Sequence, residues 1–189
     1  MIFQSTPIPD AYLIEPELHT DSRGRFARVW CLDELRAHGI DHTFVQANVS
    51  VNKRRGTLRG LHRQRAPHGE AKLIHCAKGA VYDVVVDSRP ASETYLAWFG
   101  AELSAENRRS MYVPVGCTHG YLALTDGAEA HYVVSHPYVP GAETGIRYDD
   151  PVLGIDWPQD VTVVSDKDRS WPLLSETRSS LSSPSSQNE

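Results

Sequence analysis

Apolar positions in this chain recur every second residue in short runs, without the 3.6-residue stripes of long helices. Residues 72–77 form one such run and end at Lys78-Gly79, a turn signal. Residues 81–87 form the next, stopped by Ser88-Arg89-Pro90. Similar runs occupy 95–99, 109–113, 120–124 and 130–134, rich in aromatic and β-branched residues. Only 32–38 reads as a helix, closed by Gly39 as a C-cap. Many short strands with Gly, Pro and Asp turns between them predict an all-β protein, an antiparallel β-sandwich or a barrel, with one or two short helices.

Strand alternation also sorts side chains by face. Lys72, Ile74 and Cys76 point one way, and Val81, Asp83, Val85 and Asp87 share a face of the following run. A lysine and an aspartate then alternate with apolar residues. Either that face is solvated, or two charges enter the interior.

Composition narrows the function classes. The 189 residues are 40% hydrophobic and 23% charged, enough for one globular core and too apolar for general disorder. The net charge of −5 comes without a strongly basic stretch, which disfavours nucleic acid as a partner. No apolar run approaches the roughly 20 residues of a membrane span, and the first residues do not form a signal peptide. Cys31, Cys76 and Cys117 are far apart and odd in number, as expected for reduced thiols in a cytoplasmic protein. Residues 175–189 are Ser-rich and nearly free of apolar side chains, so the expected domain is 1–174, followed by a disordered tail.

Two segments could carry chemistry. Gly56, five residues and then His62 form the first; Pro114-x-Gly116-x-x-His119 forms the second. In that order on an all-β chain they resemble the two halves of the cupin motif, and so imply a cupin-type jelly roll. A metal-binding cupin would place a second histidine where this chain has Gln64, a poor ligand for the metals that imidazole suits. His62, with Glu70 and His119, would leave such a site short of good donors, so no metal is expected. Without metal, His62 is free to accept a proton. Arg59, near Lys53, Arg54 and Arg55, offers guanidinium geometry suited to a diphosphate.

Nine segments together resemble the dTDP-4-dehydrorhamnose 3,5-epimerase family between about residues 7 and 174. They include Asp21-Ser-Arg-Gly24, 44–50, Gly56-Thr-Leu-Arg-Gly-Leu-His62, Ala71-Lys-Leu73 and 81–87. The others are 103–107, 113–120, Asp149-Asp-Pro151 and Ser165-Asp-Lys-Asp168. The resemblance implies a homodimeric epimerase of a dTDP-linked 4-keto-6-deoxyhexose, inverting C3 and C5 without cofactor or metal. It places the base on His62, the orienting carboxylate on Asp168, the general acid on Tyr132 and the enolate's cation on Lys72. Asp83 and His119 would share the pocket, with Arg59 on the diphosphate and Gln46 and Asn48 on the nucleotide. Glu143 and Lys167 match further ligand positions, and Arg23 would reach into the neighbouring subunit's site.

The chain departs from the family pattern at Arg63, at Arg25 and Arg28, at Cys117 and at Tyr148. These changes leave the implied catalytic set intact and alter its surroundings. A C3-only or C5-only epimerase, a metal-dependent cupin enzyme and a non-catalytic sugar-nucleotide binder are the alternatives.

Overall fold

A computed structural model describes residues 1–175. Strands β1 (Ile2–Ser5) and β2 (Tyr12–Glu15) lead to a hairpin of β3 (His19–Asp21) and β4 (Gly24–Phe26), then helix α1 (Leu32–Ala37). Next come β5 (Gln46–Asn52), β6 (Thr57–Gln64), β7 (Lys72–Lys78) and β8 (Ala80–Val86). They are followed by β9 (Trp98–Ser104), β10 (Ser110–Val113), β11 (Thr118–Ala123) and β12 (Ala128–Val134). The described chain closes with β13 (Glu143–Gly145), β14 (Val163–Val164) and helix α2 (Asp166–Arg169). Beyond Ser175, the tail expected from the sequence lies outside the described residues.

The strands form two main sheets. One has the order β1-β2-β10-β7-β12-β5; the other is β13-β6-β11-β8-β9, with β14 added in parallel to β6. From β5 to β13 the chain passes between the sheets at almost every connection, which is the winding of a cupin-type jelly roll. Ile74 and Cys76 of β7 meet Val81 and Val85 of β8 in the shared core, with Met111 and Leu122's neighbours Tyr121 and Ala123 beside them. Outside the first sheet, Leu35 of α1 packs with Ile40, Leu73 and Tyr112. Outside the second, Leu61, Val84 and Val86 are covered by Ile146, Leu153, Trp157 and Leu174.

The alternation in β7 and β8 resolves in favour of the interior. Lys72, Asp83 and Asp87 are all buried. Asp87 accepts bonds from the Arg89 guanidinium and from the Ser92 and Thr94 hydroxyls. That network pins 88–97 as a turn, and Leu96 takes a positive φ of 69° within it. The strand expected at 95–99 therefore starts only at Trp98 and runs on to Ser104.

Candidate active site

The cavity is built on β6, whose alternation is broken. His119 pairs with His62 and Tyr121 with Arg59, so Gly60 and Leu61 both oppose Gly120. This is a β-bulge, and it turns Arg59 and His62, three residues apart, toward the same side. Gly60 takes φ +119°, and a Cβ there would lie 2.6 Å from Gly120 Cα and 2.8 Å from His119 O. The glycines of both sequence elements therefore permit the close approach that aims the flanking side chains.

A cavity of about 840 Å³ opens between the sheets. His62 and Arg59 enter from β6, His119 from β11, Lys72 from β7, Tyr132 from β12, and Gln46 and Asn48 from β5. Glu143 of β13 and Lys167 and Asp168 of α2 complete the ring of residues expected from the sequence. Asp83 lies buried beneath, with Oδ2 2.8 Å from His119 Nε2. Arg23 is apart from them all: it sits at the β3–β4 turn, ion-paired to Asp21, with 88% of its side chain exposed.

Loss of water around His62, reinforced by its neighbours Lys72, His119 and Lys167, holds the imidazole well below its ordinary value of 6.5. A neutral imidazole can accept a proton at neutral pH. Burial pushes the Tyr132 phenol up, with Tyr121 adding to the shift, so it stays protonated. The two groups belong to opposite sheets and face one cavity. Lys72 Nζ is 3.5 Å from the His62 carbonyl oxygen and ion-pairs with Glu70 at 3.2 Å.

The carboxylates near His62 are arranged in an unexpected way. Glu143 Oε1 is 3.7 Å from His62 Nδ1, while its Oε2 accepts from Lys167 at 2.8 Å. Asp168 Oδ2 accepts from the Gly60 backbone N–H at 3.2 Å, and its Oδ1 is buried with no hydrogen-bond partner. The N-cap of α2, Ser165, accepts from the Asp168 N–H and fixes that short turn.

Gln64 commits its amide to the backbone. Nε2 donates to the carbonyls of His68 and Pro137, and Oε1 accepts from Val139 N–H at 2.6 Å. Among the described residues, no group of three His, Cys, Asp or Glu side chains is placed to hold a metal ion. The basic run also divides. Arg59 lines the cavity, whereas Arg55 reaches Gln159 on the exterior. Arg28 pairs with Glu34 at 2.8 Å, and Arg25 lies 3.7 Å from Glu106.

Sequence reasoning missed Ser50, Asn52 and Tyr121. Asn52 Oδ1 accepts from Arg59 Nε at 2.9 Å, and Asn52 Nδ2 donates to Ala128 O at 3.1 Å. Tyr121 OH donates to Ser50 Oγ at 2.8 Å. The signal was present: Ser50 continues the alternation of Gln46 and Asn48, and Tyr121 that of His119.

Fold and cavity together define a cupin-type enzyme suited to moving protons at a carbon acid. The chain belongs to the dTDP-4-dehydrorhamnose 3,5-epimerase family, whose sequence profile matches residues 5–176. It is therefore an isomerase. A dTDP-4-dehydrorhamnose 3,5-epimerase of Methanothermobacter thermautotrophicus is 43% identical over 178 residues, covering 92% of this chain and 95% of the relative. The structure resembles that of an enzyme described as dTDP-6-deoxy-D-glucose-3,5-epimerase from Legionella pneumophila Philadelphia 1, in complex with dTDP-4-keto-L-rhamnose. Its TM-score is 0.87 at 37% identity, over 95% of this chain and 96% of that one. It also resembles a 3'-monoepimerase from Streptomyces bikiniensis in complex with dTDP-quinovose, with TM-score 0.84 and 37% identity. That match covers 93% of this chain and 90% of the other. No helix among the described residues is long and apolar enough to cross a membrane.

Proposed function

We propose that this chain inverts C3 and C5 of a dTDP-linked 4-keto-6-deoxyhexose by successive enolate formation, without metal or cofactor, as a cytoplasmic homodimer. The observation that carries the reading is the meeting of a neutral His62 and a protonated Tyr132, from opposite sheets, in a cavity that also holds the Lys72 ammonium.

The C4 ketone acidifies the protons on both flanking carbons. His62 takes one, and the electron pair of the broken C–H bond moves onto the C4 oxygen, where Lys72 stabilises the negative charge. Tyr132 then delivers its phenolic proton to the opposite face of the same carbon as the pair returns from oxygen. That order of transfers inverts the centre, and solvent resets the imidazolium and phenolate. Asp168 Oδ1, which makes no hydrogen bond here, is the oxygen available to orient the imidazole, whose Nδ1 lies 3.7 Å from Glu143. His119, bonded to Asp83, borders the sugar. Arg59, steadied by Asn52, takes the diphosphate, and Gln46 and Asn48 contact the nucleotide; Glu143 and Lys167 are further ligand positions on the His62 side of the cavity.

Arg23 acts in the partner's cavity. Its exposure supports this role, as does apolar surface that calls for a cover: Phe26 beside it is 71% exposed, and Val49 and Val51 are exposed along the edge strand β5.

The test is NMR of dTDP-4-keto-6-deoxyglucose with the protein in D2O, alongside His62→Ala. Deuterium at both C3 and C5, lost in the variant, supports the proposal. Incorporation at one carbon only makes the chain a single-centre epimerase; none at either, with the nucleotide still bound, makes it a binder.

A further inference from the structure

One charged group in the cavity has no part in the mechanism above. The chain at Ala71 extends the ladder beyond β12: Ala71 N–H donates to Ser135 Oγ at 2.8 Å, and Ser135 N–H to Ala71 O at 3.0 Å. Extended backbone there puts Glu70 on the same side as Lys72, two residues on. The two side chains ion-pair at 3.2 Å and are only 6% and 8% exposed. Both line the cavity.

Glu70 Oε2 is buried and has no hydrogen-bond partner. A carboxylate oxygen that has given up water needs a donor in return, and on a cavity wall a ligand can supply it. Lys72 has three N–H donors. Glu70 and the His62 carbonyl engage two, leaving one for the substrate.

We infer that Glu70 reads the C3 hydroxyl of the sugar, one carboxylate oxygen holding the Lys72 ammonium and the other accepting from that hydroxyl. The inference rests on the epimerase reading, which puts the C4 oxygen against Lys72. C3 bears the one hydroxyl next to the ketone, because C5 carries the ring oxygen and the methyl carbon. Vicinal oxygens on a hexose lie within hydrogen-bonding distance of each other. A group 3.2 Å from the ammonium that meets the C4 oxygen is therefore within reach of the C3 hydroxyl. Selection thus acts at C3 and leaves C5 chemistry to the remaining residues.

The experiment compares wild type, Glu70→Gln and Glu70→Ala on the dTDP-linked 4-keto-6-deoxyhexose and its 3-deoxy analogue, following deuterium exchange at C5. Wild type should prefer the 3-hydroxy sugar in kcat/KM. Glu70→Ala should reduce that preference by about tenfold or more, the weight of a hydrogen bond to a charged group. Glu70→Gln, which keeps shape and loses charge, should fall between. Both sugars should lose rate once Glu70 no longer holds Lys72, with the 3-hydroxy sugar losing about tenfold more; a merely structural role would depress both sugars equally. An unchanged preference, or equal loss on both sugars, overturns the inference while the epimerase reading stands. If wild type exchanges neither sugar, the epimerase reading itself fails and the inference with it.

Discussion

Gly60 on β6 and Gly120 on β11 face each other so closely that a Cβ on either would meet backbone of the other strand within 2.7 Å. The bulge that turns Arg59 and His62 to one side depends on this approach, and Gly60 also holds φ +119°. Gly60→Ala should destabilise the fold by about 2–3 kcal/mol. For a domain of this size, that is on the order of 5–10 °C in Tm. A thermal melt checks it, and a variant that melts with wild type would remove the steric account.

The depressed His62 sets a pH dependence with a definite sign. Its acid limb in kcat/KM should lie below pH 6.5, because the imidazole stays neutral after an ordinary histidine would have charged. Below pH 6.5 the unfolded chain takes up this proton before the folded one, so His62 makes stability fall as pH falls. Lys72→Met removes a neighbouring positive charge and should raise the His62 value, as measured by NMR titration of the ring. A value unmoved in the variant would show that the ammonium does not act on the imidazole.

Asn52 makes no claim on substrate, yet it fixes Arg59 through Nε. Asn52→Ala should weaken dTDP binding by about tenfold, as one charged hydrogen bond loses its alignment. KM should rise with little change in kcat. Calorimetry with dTDP checks the first part and steady-state kinetics the second; equal affinity in the two proteins would leave Asn52 as packing alone.

Arg23 tests the assembly. Arg23→Ala and His62→Ala should each be inactive alone. Coexpressed, half the dimers would be mixed and hold one complete site, restoring about a quarter of wild-type activity. An inactive mixture would place Arg23 outside the partner's cavity.

The sandwich was legible in period-two alternation, which grouped Lys72 and Asp83 with apolar neighbours; that this face is the interior emerges only once the two sheets pack. Alternation alone could not join Arg59 to His62, because three residues put them on opposite faces until the bulge intervenes. The resemblance gave Asp168 as the carboxylate that orients the imidazole; the structure lines the cavity with it but bonds it to Gly60 N–H, an engagement that depends on α2 docking from more than a hundred residues away. Gln64 read as an absent metal ligand; its three backbone bonds to the loop at 68 and 137–139 become visible only once the strands are paired.

The segment after Gly145 has two duties. It brings Asp168 to the cavity, and it covers Leu61, Val84 and Val86 on the outside of the second sheet. A chain cut short before this segment would lose the carboxylate and bare an apolar patch in the same event. Exposed apolar surface of that kind is what chaperones and proteases act on, so loss of the site and loss of a stable fold would come together rather than one at a time.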